Sequence, residues 1–127
     1  TKSQYNSTRH HAELLLESHR VGAPSLLFEA LESSDRESRV LALVLLGDWA
    51  QVNASQKKHL NKARKLALGA LSDLEASVQE KALLLLSHLA KETDRAQIEA
   101  FMGSEDPRHR IEASAILLHM DAKRASP

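Results

Sequence analysis

The chain has 127 residues, enough for one domain with a core of its own. Its 17 basic residues match 17 acidic ones, which excludes the global field that draws nucleic acid or a membrane surface. With no cysteine there is no disulfide, thiolate metal site or cysteine nucleophile, and no apolar run approaches the roughly 18 residues of a membrane span. Aromatics are 3% of the chain while leucine and alanine abound, a mixture that favours helices packed through aliphatic ridges over a sheet. The start carries no basic-then-apolar signal pattern, and the chain reads as soluble. Its compartment stays open, with the cytosol slightly favoured over an exported setting.

Residues 1–8 are polar and expected to fray. A helix is predicted from about Thr8 to Arg20, with His11, Ala12, Leu14 and Leu15 on one face and Gly22 at its left-handed cap. Pro24 suits the first turn of a second helix reaching Glu32 through Leu26, Leu27, Phe28, Ala30 and Leu31. After Ser33 and Ser34, Asp35 is placed to cap a helix running to Gln51, apolar over most of its circumference and ending near Trp49. Ser55 is the expected N-cap of the next helix, Gln56 to about Leu71, whose stripe is Leu60, Ala63, Leu66, Ala67, Ala70 and Leu71. Ala76 to about Lys91 follows, with a central apolar run. Asp94 with Gln97 has capping-box spacing and opens a short helix, Arg95 to Met102, that turns Ile98, Phe101 and Met102 inward and ends at Gly103. Asp106 and Pro107 occupy the cap and first position of a last helix to about Met120, apolar at Ile111, Ala113, Ala115, Ile116 and Leu117. The tail from Asp121 is expected to be disordered.

One skeleton recurs along this series. Asp35, Arg39, Ala42 and Leu46 are echoed by Glu75, Gln79, Ala82 and Leu86, by Asp106, Arg110, Ala113 and Leu117, and in part by Arg9, Ala12 and Leu16. Successive alanines stand 30, 40 and 31 residues apart, a period that marks helical repeat arrays, and the long helix 56–71 accounts for the wider interval. The alanines are small where neighbouring helices must approach, and the leucines one turn later fill the layer between repeats. The Asp–Arg pairs stand at i,i+4, where a pair can form while the acid caps the helix.

The pattern D-x-x-x-R-x-x-A-x-x-x-L, with Gly47 after the Leu in one copy and Pro107 after the Asp in another, resembles the second helix of HEAT-like (armadillo-type) repeats. The copy built on Glu75, Val78, Gln79, Ala82 and Leu86 departs from it by placing Gln at the Arg position. The resemblance covers roughly residues 9–121. It implies an all-α fold, a short right-handed α-solenoid of about seven helices: one leading helix plus three antiparallel pairs joined by short loops. Residues 1–127 then form a single domain, with a leading half-repeat at 8–21 and repeats at about 24–51, 55–91 and 94–121. The leading helix reads as the second half of a repeat, and the array as cut from, or stacked upon, a longer one. In this family the Asp and Arg side chains tend to form ladders between repeats, so those charges are read as structural.

The helix 56–71 carries a basic island, Lys57, Lys58, His59, Lys62, Arg64 and Lys65, with no acid between Gln51 and Ser72. An anionic partner is one reading of Lys57, Lys58, Lys62 and Lys65; the solvated outer face of an amphipathic helix is the plainer one. No aromatic residues interleave for base stacking, which disfavours nucleic acid. Seven histidines raise a metal site, but the chain has no His-Glu dipeptide and no H-E-x-x-H, and His10/Glu13, His88/Glu92 and His109/Glu112 are single pairs of the kind chance produces. His88, within an apolar helix, is expected to be partly buried and hydrogen-bonded, and Trp49 to be core. No nucleophile elbow, phosphate-binding glycine loop or dinucleotide fingerprint is present.

The expected function is therefore non-catalytic, with no cofactor and no metal: a scaffold or adaptor that recognises a protein partner through the concave face of the second helices. Its exposed positions are expected to include Arg36, Glu37, Asp48, Gln79, Glu80, His109 and Glu112. The alternative is a HEAT-like enzyme, or a binder of nucleic acid or another anionic ligand, using the basic helix.

Overall fold

Leucine- and alanine-rich segments with few helix breakers form helices wherever the sequence is periodic. The computed structural model describes residues 12–18, 20 and 24–125, which are all-helical apart from turns and contain no strand. Residues 12–18 and 20 are helical. Then follow α1 (Ser25–Ala30), α2 (Arg36–Val52), α3 (Lys57–Ala70), α4 (Ala76–Leu89), α5 (Arg95–Glu99) and α6 (Pro107–Ala125). Short 3₁₀ turns, Glu92–Asp94 and Ala100–Gly103, flank α5. The polar start, Arg9, His10, His11 and the expected cap Gly22 lie outside the described residues.

The α2, α4 and α6 helices lie side by side. Arg36 near the start of α2 reaches Glu75 just before α4 (3.8 Å), and Gln51 near its end meets His88 near the end of α4 (3.4 Å), so the two run parallel. Glu80 of α4 pairs with Arg108 in the first turn of α6 (3.5 Å), continuing the row. The α1 helix packs on α2, α3 on α4, and α5 on α6. One core runs between these layers. Leu15, Leu27, Ala42, Leu46, Ala63, Ala67, Ala82, Leu83, Leu86, Ile98 and Ala113 are all fully buried in it. Ala42, Ala82 and Ala113 are thus buried at the positions their spacing picked out.

A polar device recurs in the turn before each second helix. Ser33 Oγ, Asp73 Oδ1 and Ser104 Oγ accept the backbone N–H two residues on, from Asp35, Glu75 and Asp106 (3.1, 2.9 and 3.1 Å). The carbonyls of the same three residues accept from Arg39, Gln79 and Arg110. Each turn is therefore closed by a short side chain at its start and a long one six residues later, which satisfies backbone groups that a tight turn leaves open. This explains why Gln can stand at position 79: it still reaches the carbonyl.

The i,i+4 pairings do not form. Arg39 passes Asp35 and grips Asp73 of the next turn through Nε and Nη2 (2.9 and 3.3 Å), a link between successive helix pairs. Asp35 sits at the N-cap of α2 without a capping bond, its carboxylate taken by the Ser38 hydroxyl (2.9 Å). Asp106 does cap, accepting the Arg108 N–H (2.9 Å), and pairs with the Arg108 side chain instead of Arg110.

Other expectations are corrected by packing. Asp94 makes no capping box with the exposed Gln97; it is buried, accepts the Lys91 N–H (2.8 Å) and pairs with Arg64 (2.7 Å). The α3 helix begins after Gln56, one residue beyond the expected cap Ser55. Leu14, Leu26, Met102 and Ile111, read as inward, are exposed, as is His88. The tail is not disordered through Ala125. The α6 helix continues because Asp121 binds Arg95 (2.7 Å) and Arg124 reaches Glu92, tying its last turns to the α5 region.

These outer ion pairs set a pH dependence. The Glu92 carboxyl is held below its ordinary 4.5 mainly by the hydrogen bond from Arg95, and Asp106 below its ordinary 3.8 mainly by the Arg108 N–H. A carboxyl lowered in the folded state adds stability above its unfolded value and loses it as pH falls through the folded one. Thermal unfolding from pH 6 to pH 2 is expected to show the midpoint falling below about pH 4.5, with a shallower fall for Glu92→Gln. An unchanged slope in that variant would remove Glu92 from the account.

Candidate functional site

The parallel row leaves a groove between α2 and α4. At one end it opens to about 440 Å³, lined by Arg36, Glu37, Val40, Leu41, Val44 and Ser77. A second pocket of about 200 Å³ continues it, between Val44, Gly47, Asp48 and Gln51 of α2 and Lys81, Leu84 and His88 of α4. The floor is aliphatic and the rim carries both charge signs. Val44, 42% exposed, stands where the two pockets meet. Gly47 leaves room in the wall, since a Cβ there would meet nothing within 4 Å.

Of the seven positions expected to bind a partner, Arg36, Glu37 and Asp48 are exposed and line this groove. Glu80 is half-buried and held by Arg108, and Glu112 is half-buried on α6. The remaining two are not freely exposed as expected. His109 is only 3% exposed: its Nε2 meets the Ala76 carbonyl (3.0 Å), its Nδ1 lies 3.4 Å from Ser104 Oγ, and Phe101 packs edge-on against its ring. Gln79 spends its amide on the Asp73 carbonyl (2.7 Å). His109 is thus interior, between the starts of α4 and α6, and Gln79 is half-buried with its amide nitrogen engaged. Leu41, Val44, Lys81 and His88 belong to the groove and were missed, the first two because an apolar residue in an apolar helix reads as core.

Of the six members of the basic island, Arg64 and His59 turn to structural contacts and four lysines remain. Arg64 is half-buried against Asp94, with further support from Asn61 (3.0 Å). Lys57, Lys58, Lys62 and Lys65 are exposed, and none lies within ion-pair distance of a carboxylate among the described residues. They do not form one cluster of function. Lys62 Nζ sits 4.9 Å from the Phe28 ring centroid, a cation–π contact, and Lys65 lines a shallow cleft of about 230 Å³ with Glu32, Arg39 and Asp73. His59 packs beside Phe28 and Trp49 and donates from Nδ1 to Gln56 Oε1 (2.9 Å), which assigns its ring a packing role.

Trp49 is 1% exposed and so belongs to the interior. Among the described residues no three His, Asp or Glu side chains gather as a metal-binding group, and no helix is long and apolar enough to cross a membrane. No known family model, curated protein or solved structure matches the chain.

Proposed function

We propose that the chain is a short, right-handed HEAT-like α-solenoid that acts as a non-catalytic protein-recognition module, taking a partner segment in the α2–α4 groove. One observation carries this reading: an open groove with an aliphatic floor at Val40, Leu41 and Val44 and a mixed-sign rim at Arg36, Glu37, Asp48 and Lys81. Such a surface suits a polypeptide, whose side chains offer apolar anchors and both charges, better than a uniformly anionic polymer. Three turns closed by the same hydrogen bonds, and three second helices side by side, support the repeat reading.

The test is cross-linking from a photoreactive residue at position 37, followed by Val44→Asp. Since Val44 is substantially exposed, the variant should unfold within about 0.5 kcal/mol of the parent. It should also lose the cross-linked protein. Retention of that protein by a folded Val44→Asp chain would move the site elsewhere. The unpaired lysines of α3 favour the second reading, an anionic ligand. Reversal of Lys58, Lys62 and Lys65 to Glu separates the two: loss of RNA or DNA binding would select the basic helix, and unchanged behaviour would discard it.

A further inference from the structure

Each second helix turns one face toward the next. On α2 that face runs through Arg36, Val40, Val44, Gly47 and Gln51, which line the contact with α4. The register of Ala42 with Ala82 and Ala113 carries it to Ala76 and Glu80 on α4, where the Ala76 carbonyl meets His109 and Glu80 meets Arg108 of α6. The same register on α6 gives Pro107, Ile111, Ala115, Leu118 and Ala122. All five are exposed, Ile111 by 64% and Leu118 by 69%. Spaced i, i+4, i+7 and i+11, the last four form one apolar stripe that no described element covers.

A polar group repeats the message. Arg39 uses one nitrogen on the Ser33 carbonyl and two on the carboxylate of Asp73, in the turn of the helix pair that follows. Arg110 stands at the equivalent place on α6 and holds the Ser104 carbonyl in the same way. Its other nitrogens meet no carboxylate among the described residues. Apolar stripe and open guanidinium thus continue an interface that α2 and α4 already make.

We propose that this face of α6 docks an α-helical hairpin of a partner protein, with the hairpin's second helix parallel to α6. An aspartate in its turn would take Arg110 as Asp73 takes Arg39. A second copy of this chain is a poor occupant. Its own hairpin turns offer Ser33 and Ser104 at that position, and its Asp73 is already engaged. The proposal concerns the outer side of α6 and stands apart from the α2–α4 groove.

The full chain extended after Pro127 by a second copy of residues 57–91 tests the chemistry of the face, because tethering supplies the local concentration of a complementary hairpin. Hydrogen exchange at residues 111–122 should slow by about tenfold or more, and the thermal midpoint should rise. Arg110→Gln, which keeps a donor for Ser104 as Gln79 does for Asp73, should reduce both gains in the extended chain and leave the unextended one unchanged. Ile111→Asp with Leu118→Asp should abolish them. An unprotected, protease-sensitive extension would overturn the proposal, as would protection indifferent to both variants. So would self-association of the unextended chain, on sedimentation, that the double variant abolishes, since it would give the face to a second copy.

Discussion

Arg64→Ala is expected to destabilise the fold by about 3–5 kcal/mol, because it strands a buried carboxylate. Asp94 has a side chain only 4% exposed, and among the described residues Arg64 is its sole cationic partner, 2.7 Å away and 13% exposed. The loss exceeds that of a surface pair, which is worth about 0–1 kcal/mol, because water cannot replace the guanidinium in the interior. The Lys91 N–H would remain on Asp94, but one backbone donor does not offset a buried negative charge. Removing the charge as well, in Arg64→Met with Asp94→Asn, is expected to recover a substantial part of the stability, since the Asn oxygen can still accept from Lys91. Urea unfolding of the three proteins measures this. A loss below about 1 kcal/mol for Arg64→Ala would show that Asp94 reaches water, and would sink the account.

Leu86→Ala should cost about 2–5 kcal/mol, the range for emptying a close-packed aliphatic site. Leu86 is fully buried on α4, one turn after the equally buried Ala82, where α3, α2 and α6 converge on that helix. Neighbouring backbones cannot collapse into the space without separating other contacts, so the cavity persists. Leu118→Ala on α6 is the matched control: the same deletion at a residue 69% exposed should stay within about 0.5 kcal/mol. Equal losses from the two would contradict the layer assignment. Equal and small losses would point to a loosely packed interior.

Much of the helical series was legible because its signals are local. Pro107 after Asp106 marks a helix start by backbone geometry alone, and the Ala42, Ala82 and Ala113 spacing located three equivalent helices with sites that must be small. The errors share a cause, which is that the deciding partner lies far along the chain. The spacing of Asp94 and Gln97 looked like a local cap, yet the carboxylate answers to Arg64, thirty residues earlier. Asp35 and Arg39 stand at pairing distance on a helix, yet the bidentate fork of Arg39 finds better geometry in Asp73. The tail looked too polar to order, but Asp121 and Arg124 gain partners only once α5 is docked.

The candidate groove followed the same division. Arg36, Glu37 and Asp48 could be expected at the surface from sequence because charge on an apolar helix points away from the core. Val44 could not, nor could the burial of His109. An apolar helix with two covered sides and one open side has the same periodicity whichever side is open.

By itself, then, the sequence determined an all-helical chain, most of its helix starts to within a residue, and small sites at Ala42, Ala82 and Ala113, all consequences of propensity and spacing within one turn. Only the tertiary structure decided which acid meets which base, which leucines remain in water, and where the second helices part to leave a groove. Those depend on neighbours brought together by packing, and packing energy is a property of the assembled layers, not of any one helix.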